Sequence, residues 1–118
     1  MAVTNEITPT ESRIQQDAVR WYRNSFCLKH HAPRCLILAI VNEYKPIFTA
    51  TGLYTGAADL LVLHRANGPS RVIFAEVKTA TGQQSHKQRE FQEHIEQMEG
   101  AAEYHLVRNL EEFKAIFK

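Results

Sequence analysis

The spacing of apolar positions changes several times along the chain. Ile14, Ala18, Trp21 and then Tyr22 or Phe26 recur at helical intervals and predict a first helix over residues 9–26. Thr8, Pro9 and Glu11 suit its start as cap, first helical residue and third residue of a capping box. CLILAIV (35–41) is apolar at every position and predicts a strand covered on both faces. Residues 58–64 and 71–78 predict two further strands. The turn between them carries Asn67-Gly68, a hairpin signal, so the two are expected to run antiparallel.

Residues 42–56 read as a long polar, Gly-containing loop, of a length that is usually functional or partly structured. Ser85 and Gln88 repeat the capping-box pattern. They open a helix with Phe91, Ile95 and Met98 as its apolar stripe and Gly100 as its end. A short strand follows at 103–107. Asn109 then caps a last helix that presents Leu110, Phe113, Ile116 and Phe117. The order α-β-β-β-α-β-α predicts one α/β domain over residues 1–118, with a mixed sheet flanked by helices.

Composition narrows the class. At 118 residues and 44% hydrophobic, the chain is long enough for one core and too short for two. No apolar run is long enough to span a bilayer, and the first residues do not read as a signal peptide. Cys27 and Cys35 are expected to be buried, reduced thiols in an intracellular protein. The spacing of Cys27, His30, His31 and Cys35 fits no common structural zinc site. The net charge of +1 implies no partner, but its distribution is uneven. Between Ser12 and Cys35, Arg13, Arg20, Arg23, Lys29 and Arg34 stand against one acid, Asp17. Glu90, Glu93, Glu96, Glu99 and Glu103 run without a Lys or Arg among them. This predicts a basic and an acidic side, which are either two solvated faces or a means of attracting phosphate.

The third strand ends in Glu76-Val77-Lys78, an acid and a base on one face of an otherwise apolar strand. Alone, such a pair is more simply a surface salt bridge. Asp59 changes the picture, because hairpin pairing brings the start of one strand beside the end of the next. Two adjacent carboxylates repel unless a cation lies between them. Mg²⁺ (or Mn²⁺) is suited to one or two carboxylates plus waters and phosphate oxygens, and the Val77 carbonyl could add a ligand. Lys78, on the same face, is placed to orient a water attacking a phosphodiester.

Gly56-Ala57-Ala58-Asp59, the hairpin, and Glu76-Val77-Lys78 together resemble the PD-(D/E)XK nuclease superfamily. Within it the chain is similar to small stand-alone VRR-NUC (virus-type replication–repair nuclease) domains over nearly its whole length. Val41-Asn42-Glu43, Thr51-Gly52-Leu53 with Gly56, Ser85 with Gln88, and Glu11 also match that family's pattern. Ala58 departs from it, standing where the family usually has Pro.

The resemblance implies a restriction-endonuclease-like fold and a divalent-metal-dependent DNA endonuclease, selective for branched DNA such as four-way junctions and acting as a homodimer. It implies Asp59, Glu76 and the Val77 carbonyl as metal ligands and Lys78 as the catalytic residue that orients the nucleophilic water. Glu11 and Gln88 would support the water and the geometry, although each could instead only cap a helix. His86, Lys87 and Arg89 at a helix start, and Tyr54 in the Gly-rich loop, are candidates for contacting nucleic acid. Trp21 and Tyr22 read as core or dimer contacts. Expected surroundings are the cytoplasm, or a host cell if the chain is phage-encoded, with no membrane. The rival reading is a catalytically silent DNA-binding or assembly module of the same fold.

Overall fold

The two central strands decide the architecture, because their alternating side chains assign every other element to a face. The computed structural model describes residues 9–27, 35–40, 56–65 and 68–118. Thr8, the segment 41–55 with its family-like motifs and Tyr54, His30, His31 and Asn67 lie outside the described residues.

Strands β1 (Cys35–Ala39), β2 (Leu60–His64), β3 (Arg71–Val77) and β4 (Glu103–Val107) form one sheet in the order β1-β2-β3-β4. The first two pairings are antiparallel, as the hairpin signal predicts, and β3 pairs with β4 in parallel. A parallel partner needs a crossover, which helix α2 (His86–Gln97) supplies. Helix α1 (Glu11–Tyr22) precedes the sheet and α3 (Leu110–Ala115) follows it. The predicted element order therefore holds.

One face of the sheet carries Ile37, Leu60, Val62, Ile73, Ala75, Val77 and Val107, all buried. They join Ile14, Ala18 and Tyr22 of α1 and Phe113 and Phe117 at the C-terminus in one core. Trp21 packs edge-on against Phe26 and Phe113, so it is a core residue. The other face is covered by α2 over β3 and β4, where Phe91 meets Phe74 edge-on at 5.3 Å. That cover stops short of β1. Leu36 is 48% exposed and Leu38 38%, so among the described residues β1 is an edge strand covered on one face rather than on both. A run of apolar letters does not distinguish an edge strand from a central one.

Four local expectations change. The cap of α1 is Thr10, whose hydroxyl accepts from Arg13 N at 3.1 Å. Glu11 thus becomes the first helical residue rather than the third, and the cap is complete without its side chain. After Tyr22 the chain widens into a π-helical turn, Arg23–Cys27. That turn brings Cys27 to the start of β1, where it is joined to Cys35 as a disulfide, with Cα atoms 5.8 Å apart. The pair is not the expected two thiols. Helix α2 ends at Gln97, and Met98 leaves the helical φ/ψ region with 52% of its surface exposed, so it drops out of the apolar stripe. No helix among the described residues is long and apolar enough to cross a membrane.

Arg71 ties three elements together at the far end of the sheet. It donates to both carboxylate oxygens of Glu103, at 2.7 and 2.6 Å, and to the Ile116 carbonyl at 3.0 Å. The Arg71 bonds hold the Glu103 carboxyl down at about 2, from an ordinary 4.5. A depressed carboxylate stabilises the fold fully above its unfolded pKa, and this is lost as pH falls through the folded value. Thermal melts should therefore show the parent losing stability between about pH 4.5 and pH 2. Glu103→Gln should melt lower at neutral pH and lose less across that window; equal pH slopes would refute the linkage.

Candidate active site

The β2–β3 register pairs Leu60 with Ala75, so the next step along the hairpin sets Asp59 across from Glu76. The ladder ends there through side chain rather than backbone. Val77 N donates to Asp59 Oδ2 at 2.7 Å, while the Asp59 carbonyl accepts from Ile40 N at 2.8 Å. Asp59 thus closes the ends of β1 and β3 onto the start of β2. The backbone also fixes the Val77 carbonyl. Lys78 N donates to the Val107 carbonyl at 3.0 Å, and in a trans peptide the Val77 C=O points opposite to that N–H. It therefore turns away from β4, toward the Asp59 side.

Glu76 shares its strand face with Phe74 and Lys78, yet its exposure is 0%. Its Oε1 accepts a short hydrogen bond from the Tyr104 hydroxyl. Its Oε2 is buried and has no hydrogen-bond partner among the described residues. Burial pushes the carboxyl above its usual range; the charges of Asp59 and Glu11 push the same way, and the Tyr104 bond and the Lys78 charge oppose them. Leaving a buried acceptor unsatisfied costs about 1–3 kcal/mol, more if it is charged.

Tyr104 is in turn supported. Gln84 Nε2 lies 2.9 Å from both the Tyr104 hydroxyl and Gln92 Oε1, and Gln92 donates to Glu96 at 3.0 Å. Burial, then the Glu76 bond, raises the Tyr104 pKa, so the hydroxyl keeps its proton and acts as donor. Lys78 flanks a tight turn in which Gly82 N donates to Thr79. Arg108 pins this turn by donating to the Thr79 and Gly82 carbonyls at 2.7 and 2.6 Å.

The loop ahead of Asp59 reaches the start of α2 at Gly56. A Cβ there would stand 2.5 Å from the Lys87 carbonyl carbon, and φ is +89°, so only glycine fits. This contact brings the N-terminus of α2 against the chain leading into β2. Gln88 uses its Oε1 to accept from Ser85 N at 2.8 Å while its own N–H bonds Ser85 Oγ at 3.2 Å, completing the predicted capping box. Its carbonyl oxygen is thereby committed to the helix start.

The expected site residues therefore fall into groups. Asp59, Glu76, Val77 and Lys78 converge at one end of the hairpin. Glu11, exposed at the start of α1, is near enough for its charge to act on Glu76. Of the basic cluster, His86 and Lys87 both turn to Glu90, at 2.8 and 3.6 Å, and Arg89 is exposed. Tyr104, Gln84 and Arg108 had no part in the sequence expectation. Their only advance signal is a polar-tipped Tyr at a position of β4 that pairs with Phe74, which requires knowing the parallel register.

A solved structure described as a VRR_NUC domain superposes with a TM-score of 0.59, covering 92% of this chain and 96% of that one at 21% identity. The chain has the fold of a VRR-NUC domain. No family model and no curated protein matches it. The four-stranded mixed sheet with helices on both faces is accordingly the restriction-endonuclease-like α/β fold that the motifs imply.

The donor set suits a hard divalent cation. Among the described residues no three His, Cys, Asp or Glu side chains form a complete cage. Mg²⁺ does not need one, since it commonly keeps waters and takes only one or two carboxylates. The partnerless Glu76 Oε2, the Asp59 carboxylate and the outward-turned Val77 carbonyl are oxygen donors of the right kind.

The Tyr104–Glu76 bond is testable by itself. Tyr104→Phe leaves a second carboxylate oxygen without a donor and should destabilise the metal-free protein by about 1–3 kcal/mol. In Glu76→Gln the buried charge is gone, so adding Tyr104→Phe should cost measurably less. A double-mutant cycle in urea reads the coupling, and a coupling near zero would show that the bond carries no weight.

Proposed function

We propose that this chain is a divalent-metal-dependent DNA endonuclease. The observation that carries the reading is Glu76: a fully buried carboxylate with one oxygen lacking any partner, opposite Asp59. A buried carboxylate oxygen that no protein donor satisfies calls for a ligand, and beside a second carboxylate a cation suits it best. Likeness to a VRR-NUC domain supports the reading at the level of fold.

In this reading Asp59, Glu76 and the Val77 carbonyl hold the ion, Mg²⁺ or Mn²⁺, which supplies Lewis-acid activation and charge neutralisation for phosphodiester hydrolysis. Tyr104 holds Glu76 Oε1 so that Oε2 keeps one direction. Lys78 orients the attacking water and stabilises charge developing on the phosphate. Glu11 accepts a hydrogen bond from water at the edge of the site. Gln88 contributes through its amide nitrogen, its oxygen being held by the cap. Arg108 fixes the turn after Lys78 and thereby its reach.

Asp59→Asn and Glu76→Gln should each abolish Mg²⁺-dependent cleavage while keeping the fold, and Glu76→Gln should melt higher than the parent without metal because a buried charge is removed. Lys78→Ala should lower turnover roughly a hundredfold, as loss of one stabilising group does, and retain Mn²⁺ binding by calorimetry. Cleavage at parental rates in Asp59→Asn or Glu76→Gln would overturn the site assignment, and a parent that does not cleave would leave the silent binding module as the answer.

Branched DNA is the proposed substrate and a homodimer the proposed assembly. Phosphate contacts position a nucleic acid without reading its sequence, and in this reading backbone geometry carries recognition. A two-fold dimer also matches the paired arms of a four-way junction. A junction and a linear duplex made from the same strands should be cut at clearly different rates, the junction faster, by a particle of twice the chain mass in light scattering. A monomer cutting the duplex at one short sequence would remove both features.

A further inference from the structure

A groove of about 780 Å³ lies against the outer side of α1 and the π-helical turn, and its lining among the described residues runs from Glu11 at one end, past Val19, to Arg20, Arg23 and Asn24 at the other. Its lining follows helical spacing: Glu11, Gln15 or Gln16, Arg20, then Arg23 and Asn24. This stripe is distinct from the buried Ile14–Ala18–Tyr22 stripe that faces the core. At 1.5 Å per residue it is roughly 20 Å long.

Two observations give the groove a direction and a charge. Its Glu11 end is close enough to the candidate metal site for that carboxylate to act on Glu76. At its far end Arg20 and Arg23 are exposed and make no ion pair among the described residues. Arg13, on the same helix, is by contrast already paired with Asp17 at 3.1 Å. A basic last turn also favours the helix macrodipole, but Arg23 lies beyond the helix and that effect needs only one cation.

We infer that this groove is a DNA-backbone track, in which Arg20 and Arg23 bind phosphates of the strand whose scissile bond lies at the Glu11 end. The inference rests on the nuclease reading and extends it from the reacting phosphate to the strand leading away from it. The stripe of Gln15, Gln16 and Asn24 between and beside the charges offers hydrogen bonds to backbone oxygens without base specificity. Its acidic end alone would repel DNA, so binding along the track depends on the cation at that end.

The test is fluorescence anisotropy on a labelled duplex, with Ca²⁺ replacing Mg²⁺ during binding and a parallel cleavage assay in Mg²⁺. Each phosphate contact contributes about 0.9 to the slope of log K against log salt. Arg20→Gln with Arg23→Gln should therefore lower that slope by about 1.8, while Arg13→Gln leaves it unchanged. Arg20→Lys with Arg23→Lys should restore it, since charge is kept; failure to restore it would make the effect one of helix structure and overturn the track. An unchanged slope in the Gln variant, with the parent still cutting, overturns the track and spares the nuclease. A lowered slope in the Gln variant of a parent that binds but never cuts keeps the phosphate contacts and overturns the nuclease. A parent that does not bind DNA ends both.

Discussion

Burial of the Glu76 carboxylate is the constraint to which the rest of the site answers. Charge removed from water must find donors, a cation or a proton. Tyr104 supplies one donor, Lys78 supplies a nearby positive charge, and one oxygen is left over. Every element then has an assignment. The β2–β3 hairpin brings Asp59 to the same end, the crossover through α2 delivers β4 with Tyr104, and Arg108 just beyond β4 sets the turn that follows Lys78. The arrangement costs the fold stability by itself, and in the proposed reading a bound cation offsets that cost, a common relation between stability and function.

The contacts that position the acids are mostly backbone contacts. Asp59 accepts from Val77 N, Ile40 N donates to the Asp59 carbonyl, and Lys78 N donates to Val107. The last two do not depend on side-chain rotamers, so that part of the geometry is built into strand pairing, while the Val77 N–H holds the Asp59 carboxylate itself. Gly56 works in the same way, since its missing side chain lets the loop lie against the Lys87–Gln88 peptide.

Much of this was legible before any coordinates. The hairpin is local in sequence, so the meeting of Asp59 with Glu76 follows from strand alternation and one turn. The helix start at Ser85 and the last cap at Asn109 are equally local and hold. What escaped reading depends on distant parts of the chain. Tyr104 reaches Glu76 only because β4 lies parallel to β3 in one register, which crossover packing sets. Arg108 caps carbonyls far back in the chain, and Gln84 bridges a loop, a helix and a strand. The exposed leucines of β1 and the Cys27–Cys35 bond likewise depend on neighbours that composition does not name.

The alternation along β3 has one more consequence. Ile73, Ala75 and Val77 face the core under α1 and α3, while Phe74 and Glu76 face α2. A slip of one residue in pairing turns every side chain to the opposite face. Glu76 would then enter the apolar layer beside Ile14 and Phe113, far from the Tyr104 hydroxyl, and Val77 would take its place. The carboxylate is desolvated in either register, so the misthreaded sheet is penalised by the loss of the Tyr104 hydrogen bond to a buried charge. The acid at the centre of the proposed site therefore also proofreads the alignment of the strand that carries it.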